Sequence, residues 1–239
     1  MLRIDCMAER YPALPPLPVE EEALSLAQRA AYRRVLAVLK AQRLPFLVVG
    51  AIGLSIHLGR LVDEGALEVT VRPVDAEAVM AAMEGAGFRV EREEGTHTAV
   101  VSYGDYVVKI AWGLPAPLTG RLDDAWFVHA VRAHFVDLRV WIAPVEELLW
   151  TRLAARAVEG CPDTVVEELV LRHGPELDWR RFQERVIGLE GLVLAEIFLL
   201  HHRQPSAARL AVPTWVLGSL LDRLNASASN SVTSNRLTP

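Results

Sequence analysis

Four consecutive apolar residues, Phe46-Leu47-Val48-Val49, stand between Pro45 and Gly50, and this short stretch constrains the fold more than any other. Two of the four are β-branched and none is polar, so the run suits a strand buried on both faces, inside a sheet rather than at its edge. Pro45 stops any helix arriving from upstream. Gly50 supplies the backbone freedom for a sharp turn out of the strand, and Ala51 to Leu58 reads as a helix. A buried strand leading at once into a helix implies a chain of the α/β (α+β) class.

The flanking segments extend this pattern. From Glu20 to Arg43 the apolar positions Leu24, Leu26, Ala27, Ala31, Val35, Val38 and Leu39 recur at helical spacing, with Arg29, Arg33, Arg34 and Lys40 between them. Leu67 to Arg72 alternates apolar and polar with period two, which predicts a strand with one buried face. A helix follows from Asp75 to about Ala86, then strands over 88–91, 98–102 and 106–111, the last two joined through Tyr103-Gly104-Asp105. Beyond Pro144 the chain reads as five helices, over 145–156, 163–171, 179–186, 189–202 and 215–224. The expected organisation is a Pro-rich lead-in over 1–19, an α/β domain over 20–142, a helical domain over 143–224 and a disordered tail over 225–239. That tail, NASASNSVTSNRLTP, has almost no bulky apolar residue to offset the entropy of ordering.

Composition excludes several classes. With 51% hydrophobic residues the chain can bury a core, and a net charge of -5 gives no footprint for wrapping a nucleic-acid duplex. Mean hydropathy is +0.22, yet the longest apolar runs are broken by Gly50, Gly53 and Ser55, or by Glu190, Gly191 and Glu196, well short of the roughly 20 residues of a membrane span. Cys6 and Cys161 match neither a disulfide framework nor a metal-ligand spacing, and the first residues lack the order of a signal peptide. The expected compartment is the cytoplasm, with no membrane partner.

The segment PFLVVGAIGLSIHLGR (Pro45 to Arg60) resembles the signature of the DNA polymerase β-like nucleotidyltransferase superfamily: a strand, Gly-Gly or Gly-Ala, a short helix, then an Arg. TGRLDDAWFVHAV (119–131), APVEELLWTRLAAR (143–156), LDWRRFQERV (177–186) and VPTWVLGSLLDRL (212–224) resemble bacterial nucleotidyltransferase-family proteins, which are also akin to the toxin nucleotidyltransferases of abortive-infection systems. The resemblance covers most of residues 45–224. It implies a nucleotidyltransferase-like mixed sheet with flanking helices, followed by a C-terminal helical bundle. In active members it also implies Mg²⁺-assisted phosphoryl transfer, in which metal neutralises the triphosphate and aligns nucleophile and leaving group.

The family places two Asp two residues apart on the strand after the helix and a third on a later strand, because period-two alternation aims the pair at one face. Matching GALEVTV to the first segment puts Ala66 and Glu68 at the two carboxylate positions; matching VVKIAW to the second puts Lys109 at the third. A trio of Ala, Glu and Lys is a poor Mg²⁺ site, so a degenerate active site is expected and no metal. Asp63 or Asp105 would be the nearest substitute carboxylates. The resemblance further implies nucleotide contacts from Gly50, Ala51, Ser55 and Arg60, with backbone N–H groups at a helix N-terminus cradling phosphate.

Three functional readings follow. The first is a pseudoenzyme that binds nucleotide or a protein partner. The second is an active enzyme moving NMP from NTP to a hydroxyl on a protein, a tRNA or a small molecule, with Mg²⁺ as cofactor. The third is a toxin-antitoxin or defence module acting through protein contact; the sequence names neither acceptor nor oligomeric state. The competing candidates are structural. Asp123 and Asp124 precede the apolar run at Trp126 as an N-cap does, and Glu146 and Glu147 follow Pro144 where they complement a helix dipole. The seven histidines show no metal-ligand spacing, and the six tryptophans read as core or interface anchors.

Overall fold

Local sequence signals sort the first part of the chain into one sheet with two helices laid on one face. Ser25 caps α1 (Leu26–Ala41), its Oγ accepting from the Gln28 N–H at 3.1 Å. Of the apolar positions read from the sequence, Ala31, Val35 and Leu39 lie on the buried side of α1, joined there by Tyr32 and Leu36, while Leu26 at the start of the helix is 76% exposed. The chain then runs through β1 (Phe46–Val49), α2 (Gly50–Leu58), β2 (Leu67–Val71), a 3-10 turn over Pro73–Asp75, α3 (Ala76–Gly85), β3 (Arg89–Arg92), β4 (Thr98–Tyr103) and β5 (Tyr106–Ala111). After these come α4 (Asp124–Val128), β6 (Val131–Phe135) and β7 (Leu138–Ile142). The computed structural model describes residues 24–62, 65–114, 122–159 and 164–234. The lead-in over 1–19, both cysteines and Asp63 lie outside the described residues.

The seven strands form one mixed sheet in the order β3-β4-β5-β2-β1-β7-β6. β1 pairs antiparallel with β2 and parallel with β7, and β2 pairs parallel with β5. The apolar run at Phe46 therefore lies inside the sheet, as a strand without polar residues requires. One face carries Val48, Leu67, Val69, Val71, Val101, Val108, Ile110, Ala133, Phe135, Val140 and Ile142, packed in one core with α1 and with Val79, Met80 and Met83 of α3. The other face, by alternation, presents Glu68, Val100 and Lys109.

Two of the seven strands, β6 and β7, are absent from the sequence expectation. They form a hairpin closed by Val136 and Asp137, both at positive φ, 45° and 61°. A two-residue turn with positive φ normally announces itself as Asn-Gly or Asp-Gly, and a β-branched residue there is strained. Val136 is 2% exposed, so burial offsets that strain, and the burial is invisible in the local sequence. Asp123 does cap α4, accepting from the Ala125 N–H at 3.1 Å.

From α5 (Val145–Glu159) onward the chain is helical: α6 (Thr164–His173), α7 (Trp179–Arg185), α8 (Glu190–Arg203), α9 (Pro205–Ala211) and α10 (Thr214–Ser234). The chain divides into two compact units between Leu148 and Leu149, within α5. The core of the helical unit gathers Leu153, Val166, Leu169, Trp179, Phe182, Val193, Ile197, Val216 and Leu220. Trp179 Nε1 donates to the Gly174 carbonyl at 2.9 Å, and Arg156 pairs with Glu196 with both side chains only 14% exposed. α10 differs from the tail expected over 225–239: helix continues from Asn225 to Ser234. Extending an existing helix fixes one residue per hydrogen bond gained, whereas starting one does not, so a stretch with Ala226 and Ala228 propagates where it would not nucleate. Among the described residues no helix is long and apolar enough to cross a membrane.

The sheet's two-sidedness is testable on β5, where Ile110 is fully buried and Val107 is 41% exposed. Ile110→Ala should cost about 2–5 kcal/mol in urea unfolding with m unchanged, and Val107→Ala within about 0.5 kcal/mol of wild type. Equal losses at the two positions would contradict the assignment of faces.

Candidate functional site

The turn from β1 into α2 is made by Gly50 at φ +61°, a conformation that L side chains rarely adopt. A Cβ built there would lie 2.6 Å from Glu68 Oε2 and 2.8 Å from its carboxyl carbon. The glycine is thus required twice, by its backbone angle and by the carboxyl group seated over it. Glu68 arrives at this spot because β2 doubles back on β1, with Glu68 opposite Val49.

The parallel pairing of β2 with β5 sets Glu68 directly beside Lys109, on the same face. Lys109 is in turn opposite Val100 on β4, and Val100 opposite Glu91 on β3. One row of side chains therefore crosses the open face: Glu91, Val100, Lys109, Glu68, then the Gly50 turn. Ala66 precedes β2 by one residue and falls on the Glu68 side of the alternation. Burial pushes the Glu68 carboxyl above the usual carboxylate range; the nearby Lys109 ammonium opposes this without cancelling it. The Glu68 carboxyl thus lies at the N-terminus of a nine-residue helix, with about half a positive charge, and the exposed Lys109 stands one strand further out.

The other expected site residues divide. Ala51 is half-buried in the first turn of α2, beside Gly65. Ser55 does not reach the site: it is fully buried, its hydroxyl donating to the Ala51 carbonyl at 2.7 Å and accepting from the Val62 N–H at 3.0 Å. It ties α2 to the segment that follows, and the reading of Ser55 as a nucleotide contact is corrected accordingly. Arg60 lies past the C-terminal end of α2, about 13 Å of helix from Gly50, and its guanidinium donates to the Leu61 carbonyl at 3.2 Å. The structure does not bring its backbone to the Gly50 turn.

Asp105, a substitute carboxylate in the sequence reading, sits in the β4–β5 turn four residues from Lys109, about 13 Å along the strand. It does not join Glu68. Among the described residues no three His, Cys, Asp or Glu side chains converge as a metal site. Ala66, Glu68 and Lys109, a methyl, a carboxyl and an ammonium, do not fit a Mg²⁺ ion, which takes oxygen ligands and would meet the Lys109 cation. Sequence reasoning missed Arg89, which faces the same side two strands from Lys109, opposite Ser102, in an ion pair with Glu91. The i, i+2 spacing of Arg89 and Glu91 was the available signal.

Two stability measurements check this geometry. Gly50→Ala should destabilise by about 1–2 kcal/mol from the φ penalty alone and by more from the contact with Glu68; in a Glu68→Ala background the contact part should vanish and the φ part remain. Strict additivity of the two substitutions would mean that the carboxyl does not sit over Gly50. The second concerns pH. With its pKa raised in the folded chain, Glu68 holds its proton more tightly there than in the unfolded one, where the value is 4.5. Its contribution is fully present below that value and is lost as pH rises through the folded pKa. Glu68→Gln should therefore melt higher than wild type near pH 7 and equal to it near pH 4; a lower melting point at pH 7 would refute the raised pKa.

No protein-family model and no curated protein sequence matches the chain. Solved structures do. The antibiotic-resistance factor ANT(2'')-Ia, in its solution structure, is similar over 74% of this chain and 98% of its own, at 16% identity and a TM-score of 0.51. Its crystal structure with adenylyl-2''-tobramycin aligns over the same shares at 16% identity and a TM-score of 0.47. The lincosamide antibiotic adenylyltransferase LnuA, lincomycin-bound, covers 59% of this chain and 94% of its own at 13% identity and a TM-score of 0.43. With the Gly50 turn, the antiparallel β1–β2 pair and the parallel β2–β5 pair in place, the chain has the fold of the polymerase β-like nucleotidyltransferases.

Proposed function

We propose that this chain is a nucleotidyltransferase-fold protein whose site binds an anionic ligand, a nucleotide in the first instance, without Mg²⁺ and without transferring it. The observation that carries the reading is the strand pairing of Glu68 with Lys109, which sets an ammonium beside the carboxyl that a metal would need. Transfer chemistry depends on cations that bridge the phosphates and hold the leaving group in line. A single ammonium neutralises charge but offers no coordination positions, so it serves binding better than transfer. The N–H groups at the start of α2 and Lys109 would approach phosphate from two sides. The Glu68 carboxyl between them opposes an anion when ionised, and its raised pKa lessens that opposition.

The likeness to ANT(2'')-Ia along 98% of that chain favours a second reading, an active enzyme acting on a small molecule. That reading needs a carboxylate besides Glu68 to hold metal, and Asp105 is out of reach. Calorimetric titration separates the two. ATP should bind equally with Mg²⁺ and with EDTA, and Lys109→Ala should weaken it at least about tenfold, the scale of one charge-assisted contact. Radiolabelled NTPs should leave no label on the protein or on bulk tRNA with Mg²⁺ or Mn²⁺. Metal-dependent binding, or labelling abolished by Glu68→Gln, would overturn the proposal in favour of the enzyme.

A further inference from the structure

Every charge on α1 has the same sign. Residues 24–43 hold five Arg or Lys and no Asp or Glu, in a chain whose net charge is -5. The helix packs its Tyr32, Val35 and Leu39 side against the sheet, so its outer surface lies on the far side of the sheet from Lys109. At about 100° per residue, Arg29 and Arg33 fall on one flank of that surface, about 6 Å apart along the axis, and Arg34 falls on the other. Between the flanks stand Leu26, Ala30 and Ala37, all exposed. These residues line a cavity of about 470 Å³, which also takes in Val136 and Asp137 of the β6–β7 turn on the Arg33 side.

We propose that this groove is a second anion site, separate from the one at Gly50 and Lys109, and that it holds a small ligand carrying two or more linked phosphates. The charges select the ligand. Arg29 and Arg33, four residues apart on a helix, repel one another, and no acid on α1 offsets them; an anion bridging the two removes that repulsion. Arg29 forms no ion pair with a described residue, and Arg33 reaches Asp137 at 3.6 Å with both side chains largely exposed, a pair that solvent and salt screen. A multiply charged phosphate chain therefore takes the place of the Asp137 carboxylate. Arg34 is already positioned, its Nη1 donating to Tyr103 Oη at 2.5 Å and its guanidinium 4.3 Å over the Tyr103 ring, and a guanidinium with five N–H donors keeps others for a ligand. Planar guanidinium forks match phosphate oxygens, and linked phosphates can engage Arg29 and Arg33 together across the methyl floor of Ala30 and Ala37. The volume is that of a small-molecule site, not of a track for a nucleic-acid strand.

Calorimetric titration of inorganic tripolyphosphate into the full chain carrying Lys109→Ala tests the groove apart from the Gly50 site. Binding should saturate at one ligand per chain, and orthophosphate, which cannot bridge two arginines as well, should bind at least about tenfold more weakly. Adding Arg29→Ala and Arg33→Ala should weaken tripolyphosphate at least about tenfold, while Arg180→Ala with Arg209→Ala, two exposed arginines of the helical unit, should leave it in place. Alanine favours helix, so α1 should keep its fold in the first pair. Should that pair lose helical signal, Ala30→Glu, which sets a carboxylate on the exposed floor, carries the same expectation. Asp137→Asn removes the competing carboxylate and should tighten binding; asparagine tolerates the positive φ there. Absence of saturable binding overturns the proposal, as does binding indifferent to Arg29 and Arg33 or equal for orthophosphate. A short single-stranded RNA that binds more tightly than tripolyphosphate, and loses that binding with the same arginines, overturns it in favour of nucleic acid. Because Lys109 is already replaced, none of these outcomes decides the reading of the Gly50 site.

Discussion

The seating of the Glu68 carboxyl over Gly50 is the contact on which the site depends. Gly50 has to be glycine for the backbone to leave β1 at positive φ, and the space a side chain would take is filled by Glu68 instead. One residue thus couples the direction of α2 to the register of β2. If β2 slipped by one position, Glu68 would pass to the core face among Val48, Val69 and Val71, where an ionised carboxyl is not tolerated. The register is held from both sides, by β1 and by β5, and so the neighbour of Glu68 is always Lys109.

That pairing sets the chemistry. In a site built on carboxylates, a metal supplies the positive charge and can take on and release oxygen ligands during transfer. Here the residue paired with Glu68 is an exposed lysine, whose ammonium cannot coordinate oxygen ligands. The Glu68 pKa follows from the same arrangement, since a half-buried carboxyl with one cation nearby stays above the ordinary range. Fold and site chemistry are separate questions here: the sheet carries the fold, and the side chains on its open face carry the chemistry.

Much of the fold was legible in the sequence. The apolar run at Phe46, the alternation of Leu67 to Arg72 and the helical spacing of α1 each carried a local physical signal, and each element formed where that signal lay. Failures came where the deciding term was not local. The β6–β7 hairpin turns through Val136 and Asp137, a pair in which the β-branched Val136 opposes the turn, because tertiary burial of Val136 outweighs its strain. Asn225 to Ser234 lacks a hydrophobic face, yet it is helical because α10 already runs into it. The serine of α2 looked available to a ligand, and only the packed structure shows its hydroxyl spent between Ala51 and Val62.

For the site, the sequence by itself determined the residue types: a glycine after a buried strand, Ala66 and Glu68 two apart, a lysine on a later strand. Period-two alternation also determined that Ala66 and Glu68 share a face. Which strands stand side by side was decided only by the tertiary structure, because strand pairing is a long-range choice made by the whole core and not by any one segment. By placing β5 against β2 it set Lys109 beside Glu68 and left Asp105 at the β4–β5 turn, so that a carboxyl and an ammonium far apart in sequence lie in one row.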